Sequence, residues 1–320
     1  MSFLRLLVPA LLLAITALPA RAEYPERDIK IICGFPAGTG ADTIVRYFAN
    51  ELQKQTGKTV IVENKPGALS NVGAKAAAMS KPDGYTVLIT PGNSTMAANS
   101  HLFKEKLFDP INDFTPVYRL IKLSFMWSVD AKSPIKTLPE LTAALKQKGD
   151  KATYGYSNPF SRAATELYKL RAGVSPVGVG YQGTPDALRD LLGGNIDFFI
   201  GDSTFVVEQA RSGKIRLLAN TTAQRTSVAP DLPSSAEAGL QDYDLAAWWG
   251  AWLPAGAPPD VVAKLAGYFQ KIVATEDTRK FMANVAAEPF PGDAKALKDM
   301  TIAEIAKWGD IIKQAKIEAQ

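Results

Sequence analysis

Short apolar runs alternate with amphipathic segments along almost the whole chain. Residues 29–34 form a first apolar run, and Ala41, Ile44, Val45 and Phe48 then recur with the 3.6-residue period of a helix. The same alternation returns several times. It predicts an α/β fold with a mostly parallel sheet.

Further elements follow from the same pattern. Predicted strands lie at residues 59–63, 85–90, 123–129, 153–156, 177–179, 195–200 and 215–221, with helices at 71–79, 138–146 and 185–192. The segment 246–253, AAWWGAWL, is too apolar for a surface strand, so we expect its tryptophans in the core. The remaining C-terminal residues have helical periodicity.

This order of elements predicts two lobes. Residues 123–246 form a complete βα set of their own, and the apolar segment after them returns to the first set. We therefore expect lobe 1 at residues 23–122 plus 247–320 and lobe 2 at residues 123–246. A chain that crosses twice between lobes has a hinge and an interlobe cleft.

The N-terminus predicts export. Arg5 precedes an apolar stretch over residues 6–18, and the small-x-small triplet Ala20-Arg21-Ala22 follows. This pattern is typical of a secretory signal peptide, residues 1–22, with cleavage after Ala22 and a periplasmic mature protein.

Composition excludes several classes of function. The chain has 36 basic and 32 acidic residues and a formal charge of +4, which gives no strongly basic face, so no nucleic-acid partner is expected. One cysteine and one histidine exclude a zinc cluster, a disulfide framework and a catalytic Cys-His pair by count. We expect no metal site and no cofactor.

A loop between the first strand and the first helix is the strongest candidate for binding. Residues 34–42 read GFPAGTGAD, in which Thr39 and Asp42 have capping-box spacing while Gly38 and Gly40 leave the backbone open. Free amides at a helix start favour a carboxylate ligand. The alternative interpretation is an ordinary capped helix, and the loop lacks the lysine of a phosphate-binding loop.

Three other strand-to-helix joints are similar: residues 90–95, 156–162 and 181–186. Ligands of α/β sheets bind beyond the carboxyl ends of the strands, so these loops would converge there if the strands are parallel. Arg162 could hold a carboxylate in a bidentate fork, although a solvated surface arginine is the alternative.

A hydrolase is a second possibility. Gly201-Asp202-Ser203 resembles the G-D-S block of one group of esterases, but the only histidine, His101, precedes that serine, whereas the group carries its histidine near the C-terminus. His101 lies in a polar stretch that indicates a surface or capping residue.

Several blocks in order resemble one known family, the Bug-type extracytoplasmic solute receptors of tripartite tricarboxylate transporters. The blocks cover essentially the whole mature chain: YPERDI at 24–29, FPAG at 35–38 with Asp42, VENKPGA at 62–68, PDGY at 82–85, LLGG at 191–194 with Asp197, and PAG at 254–256. The resemblance implies a type II periplasmic-binding-protein fold without catalysis. It also implies two partners: a small carboxylate, held by loop amides and hydroxyls, and membrane transporter subunits.

The resemblance also implies a set of binding residues in four loops. Together with the joint at Gly183, the predicted ligand-binding residues are Phe35, Ala37, Gly38, Thr39, Gly40, Asp42, Asn93, Ser94, Ser157, Asn158, Ser161, Arg162, Gly183 and Asp202. The chain departs from the family pattern at Thr39, at residues 158–162 and at Gly201. These departures favour a dicarboxylate or an aromatic carboxylate as the ligand, with an amino acid or other zwitterion as an alternative. We expect the protein to be a monomer.

Overall fold

The computed structural model describes residues 24–181, 183–314 and 317–319. The predicted signal peptide and its cleavage site lie outside these residues. The described part begins at Tyr24, whose hydroxyl donates to Gly84 O at 2.7 Å. No helix in the described ranges is long and apolar enough to cross a membrane.

The first set of elements alternates strands and helices as predicted. In chain order it contains β1 (Ile29–Cys33), α1 (Gly40–Thr56), β2 (Val60–Asn64), α2 (Asn71–Ala78), β3 (Thr86–Pro91), a π-helical turn (Gly92–Ala98) and α3 (Asn99–Leu102). Strand β1 lies between β2 and β3 and pairs in parallel with both. A strand-to-helix joint was predicted at residues 90–95, but not the π-helical form of the turn that follows β3.

One long strand, β4 (Phe114–Asp130), leads out of this set. The sequence predicted only residues 123–129 as a strand. The earlier half of β4 contains Pro116 and alternates buried with half-buried positions, whereas positions 123–129 are all buried. The mainly apolar, continuously buried half was therefore recognised, and the mixed half was missed.

The middle of the chain forms a second set of elements. These are α4 (Leu138–Lys148), β5 (Thr153–Tyr156), α5 (Pro159–Ala172), β6 (Val177–Gly180), α6 (Thr184–Leu192), β7 (Phe198–Asp202), α7 (Ser203–Arg211) and β8 (Ile215–Asn220). Strand β5 pairs in parallel with β6 and β7.

The C-terminal part returns to the first set. It consists of β9 (Ala246–Pro254), α8 (Pro259–Ala274), α9 (Glu276–Asn284), β10 (Glu288–Gly292) and α10 (Ala294–Gln314). Strand β9 lies between β3 and β4 and is antiparallel to both. Helix α9 lies in the part predicted as helical, whereas strand β10 was not predicted.

The sheet is mixed, so the prediction of a mostly parallel sheet was wrong. Along the main path the order is β2-β1-β3-β9-β4-β7-β5-β6, and β8 and β10 pair with β4 in addition. Every pair that contains β4 or β9 is antiparallel. These two strands carry the chain between the two sets of elements in opposite directions, which a βα pattern does not reveal.

The tryptophans of β9 lie in the core, as predicted. Trp248 and Trp252 pack together with a ring separation of 6.2 Å, and both are fully buried. Trp249 is also buried. Burial of the Cys33 thiol raises its pKa, so the chain's single cysteine is shielded from oxidation.

The two sets of elements join where β4 changes partners. Ser124 pairs with Ala246 of β9, and the next residue, Phe125, pairs with Asp202 of β7. On the basis of this change of partners we propose that lobe 1 consists of residues 23–122 plus 247–320 and lobe 2 of residues 123–246.

A buried threonine satisfies the backbone at this point. The Thr221 hydroxyl accepts from Phe125 N at 3.1 Å and donates to Leu245 O at 2.7 Å. Its own N–H and C=O pair with Phe125 O and Leu245 N. Thr221 therefore connects the outgoing strand β4 to the segment that returns into β9, and it is fully buried.

A second tie between the sets lies before β10. The Ser203 hydroxyl donates to Ala286 O at 2.5 Å. Glu288 accepts from Ser227 N and forms an ion pair with Lys122 of β4 at 3.3 Å. The start of α7 and the segment after β8 are thereby held against the C-terminal part of the chain.

Replacing Thr221 with valine should destabilise the protein, although the two side chains have nearly the same shape. The variant leaves Phe125 N and Leu245 O without the hydroxyl, and a buried unpaired group costs about 1–3 kcal/mol. We expect a loss of about 2–4 kcal/mol in the free energy of unfolding, measured by urea denaturation. Thr115→Val, on half-buried β4 surface, is the control, and an equal loss in both variants would contradict this role.

Candidate functional site

The loop before α1 is held rigidly by the carboxylate of Asp42. Asp42 Oδ2 accepts from Gly38 N and from Arg46 Nε, both at 2.8 Å, and Oδ1 accepts from Asn64 Nδ2 at 2.8 Å. Asn64 also donates to Phe35 O at 2.9 Å. Both oxygens of Asp42 are thus used by the scaffold, so its side chain positions the loop.

The predicted capping box forms only in half. Asp42 N donates to Thr39 Oγ1 at 3.3 Å, but the Asp42 carboxylate reaches Gly38 N and not Thr39 N. The reason is that Thr39 N and Thr39 Oγ1 both donate to Pro36 O. Gly38 has φ +80°, a conformation in which a side chain is strained.

This arrangement leaves donors at the start of α1. The N–H groups of Gly40 and Ala41 precede the first hydrogen bond within the helix and are available to a ligand. Ala37, Gly38 and Gly40 are exposed, whereas Phe35 and Thr39 are half-buried. The partial positive charge of a helix N-terminus favours an anion here.

Lobe 2 faces this helix start. A Cβ placed on Gly40 would lie 3.8 Å from Thr204 Oγ1, at the start of α7. Thr204 Oγ1 donates to Asp202 Oδ1, which also accepts from Phe205 N at 3.1 Å as the cap of α7. The N-termini of α1 and α7 therefore meet across the gap between the two sets of elements, with Asp202 beside it.

The hydrogen bonds that the Asp202 carboxyl accepts come from the neutral groups Thr204 Oγ1 and Phe205 N. Burial raises its pKa and outweighs the hydrogen bonds from Thr204 and Phe205, which favour the charged form. Among the residues that the structure describes, no charged group contributes to this rise in its pKa. A ligand that places a hydrogen-bond donor or a cation beside Asp202 would be stabilised there.

The loops at residues 90–95 and 156–162 have different surroundings. Asn93 is buried, and its Oδ1 accepts from Trp248 N at 3.4 Å, while Ser94 is half-buried. Asn158 and Ser161 form a reciprocal capping box at the start of α5, so their side chains bond to each other's backbone. Ser161 is fully buried.

Three other predicted residues lie near this cap. Ser157 Oγ is 2.9 Å from Thr184 Oγ1, which brings the loop at 156–162 next to Gly183, the cap of α6. The Arg162 guanidinium lies 5.5 Å from the centre of the Tyr156 ring, and the described contacts do not join it to the loop before α1.

The structure adds residues that sequence reasoning missed. Thr204 faces Gly40, and the Phe35 ring lies 5.9 Å from the Trp249 ring, where β9 approaches the loop. Thr204 could have been found because Asp202 directly follows an apolar run, as a helix cap does. Trp249 carried no such signal, since all three tryptophans of β9 have the pattern of core residues.

A wide groove elsewhere does not coincide with these residues. It has a volume of about 510 Å³ and lies at the amino ends of β1 and β3, with Arg27, Lys30 and Lys81 among its lining residues. Arg27 and Lys30 are paired with Asp83 and Glu63. Ligands of α/β sheets bind at the carboxyl ends of strands, which is where the loop before α1 lies.

Ser203 and His101 do not form a catalytic pair in the structure. Ser203 is fully buried and bonded to a main-chain carbonyl, and His101 Nε2 donates to Ile305 O at 2.9 Å. His101 is half-buried against α10, where it packs on Gly309, and not the surface or capping residue predicted. In the described ranges no group of three or more His, Cys, Asp or Glu could hold a metal ion.

Comparison with known proteins places these features in context. The model of the tripartite tricarboxylate transporter family receptor, TctC, matches residues 44–317. Protein BugT of Bordetella pertussis is 28% identical over 93% of this chain and 92% of its own length.

Two solved structures are similar over nearly the whole chain. R. palustris Rpa4515 with adipate has a TM-score of 0.84 at 29% identity and covers 93% of this chain and 100% of its own. MatC from Rhodopseudomonas palustris with bound malate has a TM-score of 0.78 at 28% identity and covers 90% and 100%. These matches confirm the predicted two-lobed periplasmic-binding-protein fold.

Neutralising Asp42 should destabilise the protein in a pH-dependent way. Burial alone would raise its pKa, but the bonds from Arg46, Asn64 and Gly38 outweigh it and lower the pKa. The stability from a lowered carboxylate pKa is complete above the unfolded value of about 3.9 and disappears as the pH falls through the folded pKa.

We therefore expect Asp42→Asn to lose about 1–2 kcal/mol at pH 7, since Arg46 is half exposed, and less at pH 3.5. Urea denaturation at both pH values measures this. Asp186→Asn, which breaks the exposed pair with Arg189, should show almost no loss at either pH. A pH-independent loss in Asp42→Asn would exclude the charge as the cause.

Proposed function

The chain belongs to the tripartite tricarboxylate transporter receptor family, and from this membership we propose that it captures a small organic carboxylate. A dicarboxylate or an aromatic carboxylate is favoured. Members of the family are periplasmic receptors that act with membrane subunits of a transporter. The bound solute is delivered to such subunits.

One observation carries this proposal. The free amides of Gly40 and Ala41 lie opposite the start of α7, so an anion between them meets partial positive charge from two helices at once. The Asp42 carboxylate already accepts hydrogen bonds from Gly38 N and Arg46 Nε, and the donors that remain for a ligand are neutral. Neutral amides suit a carboxylate.

The proposed site extends over both lobes. On the first lobe it includes the exposed and half-buried residues of the loop before α1 together with Asn93 and Ser94. On the second lobe it includes Asp202 and the loops that carry Ser157 and Gly183, with Arg162 at the edge. Asn158 and Ser161 contribute by shaping the start of α5, because their side chains serve the cap.

We propose that binding occurs without chemical conversion of the ligand, by a monomer. The esterase alternative requires an accessible serine near a base, whereas Ser203 and His101 are each bonded to main-chain carbonyls. We also propose that residues 1–22 export the protein, with cleavage after Ala22, because the periplasm is where family members act.

An amino acid is a second candidate ligand, and Asp202 is the observation that favours it. Its carboxyl lies beside the gap without a charged neighbour, and an ammonium group would supply one. A 2-hydroxy acid could instead donate its hydroxyl. Solved relatives contain adipate and malate, two dicarboxylates of which one has such a hydroxyl.

A ligand panel tests the proposed function. Purified protein is heated with mono-, di-, tri- and aromatic carboxylates and with acidic amino acids, and hits are measured by titration calorimetry. A ligand at 100 times its Kd should stabilise by about 2.7 kcal/mol. We expect at least one carboxylate to bind and to be recovered unchanged. Turnover of a carboxylic ester that is lost in Ser203→Ala would contradict the proposal.

Arg162 should distinguish dicarboxylates from monocarboxylates. If its guanidinium binds the second carboxylate, Arg162→Ala removes a charged hydrogen bond of about 1.5–3 kcal/mol, which is roughly a 10- to 150-fold loss of affinity. A monocarboxylate held by the first loop should lose much less. Arg189→Ala, in an exposed ion pair, is the matched control. Equal losses for both ligand types would make Arg162 a surface residue.

A further inference from the structure

Three consecutive residues of the segment between β2 and α2 have left-handed backbone conformations. Ala68, Leu69 and Ser70 have φ of 44°, 54° and 77°. Each carries a Cβ that clashes with the backbone in this conformation, so glycine would adopt it at lower cost. A run of such residues persists only where the surroundings hold it in place.

Buried side chains hold this turn. Asn99 Nδ2 donates to Leu69 O at 2.9 Å and to Asn71 Oδ1 at 2.7 Å. Ser70 Oγ lies 3.3 Å from Thr90 Oγ1. Both Asn99 and Ser70 are almost completely buried, so contacts with the protein interior fix the conformation of the turn.

The same contacts place the turn between two loops of the proposed site. A Cβ on Gly34 would lie 1.9 Å from Ser70 Oγ, and Gly34 directly precedes Phe35. Thr90 Oγ1 donates to Thr95 Oγ1 at 3.0 Å, within the π-helical turn that contains Asn93 and Ser94. The turn therefore crosses the carboxyl ends of β1 and β3.

The Leu69 side chain lies outside the hydrophobic core. It is 42% exposed and belongs to none of the apolar clusters of the core. The chain thus keeps an apolar, exposed side chain at a position where glycine would be less strained.

We propose that Leu69 is a specificity-determining residue that packs against the methylene chain of an aliphatic α,ω-dicarboxylate bound in the cleft. The inference rests on the proposed function and narrows its substrate class. One carboxylate of the ligand lies at the amides of Gly40 and Ala41, and the chain extends over the turn. Longer dicarboxylates reach Leu69, and the shortest do not.

The test compares two variants with opposite effects on strain. Leu69→Gly removes the side chain and relieves the backbone, whereas Leu69→Ala removes the side chain and keeps a Cβ. The probes are malonate, succinate, glutarate and adipate, titrated by calorimetry, with the melting temperature measured in parallel. We expect both variants to bind adipate about tenfold more weakly and malonate with nearly unchanged affinity. The melting temperature of Leu69→Gly should stay the same or rise.

A neighbouring side chain provides the control. Val72 is also 42% exposed but lies in the regular helix α2, so Val72→Ala should leave adipate affinity unchanged. Unchanged adipate affinity in Leu69→Gly would overturn the inference. So would a loss in Leu69→Gly that Leu69→Ala does not share, because backbone shape would then be the cause.

The proposed function fails in a different way. If the unmodified protein binds none of the four dicarboxylates but binds another carboxylate of the panel, the inference is overturned and the proposed function stands. If it binds no carboxylate at all, both are overturned.

Discussion

The whole molecule depends on one strand that belongs to both lobes. The first part of β4 pairs with β9, and its last part pairs with β7 and β8. Where the partners change, backbone groups would be left unpaired in a dry interior, and the buried hydroxyl of Thr221 pairs them. Through these bonds and those of its own main chain, Thr221 ties the outgoing strand to the returning one.

This crossing brings the functional elements together. Asp202 ends β7 beside Phe125, so α7 begins close to the crossing and faces Gly40 of α1. The tie from Ser203 to Ala286 fixes the same helix start from another direction. The N-termini of α1 and α7 therefore lie close together, and a ligand bound as proposed would bridge them.

Near the starts of α1 and α7, the charged side chain of Asp42 stabilises the fold of its own loop. Asp42 fixes the loop before α1 through bonds to Gly38, Arg46 and Asn64. What remains for a ligand is a set of preorganised amides and hydroxyls, which need no rearrangement to accept an anion. The turn at Leu69 adds an apolar side chain at the edge of this polar set. In the proposed binding mode, recognition of charge and recognition of ligand length belong to different loops.

The sequence by itself determined the α/β class, most of the strands and helices of both lobes and the family resemblance. It could do so because burial period and turn residues are local properties of the chain. It also located the loop at residues 34–42, where Thr39 caps α1 as predicted. The length of β4 and the antiparallel pairing of β9 were decided only in three dimensions.

The roles of the site residues were likewise decided by tertiary structure. The local sequence does not distinguish the roles of Asp42 and Asp202. Both oxygens of Asp42 accept hydrogen bonds that hold its own loop, whereas the Asp202 carboxyl lies beside the gap with neutral hydrogen-bond donors. The approach of Thr204 to Gly40 depends on residues more than 160 positions apart in the chain. Such contacts depend on how β4 and β9 connect the lobes, and a sequence pattern carries no record of the partner that a side chain meets across a cleft.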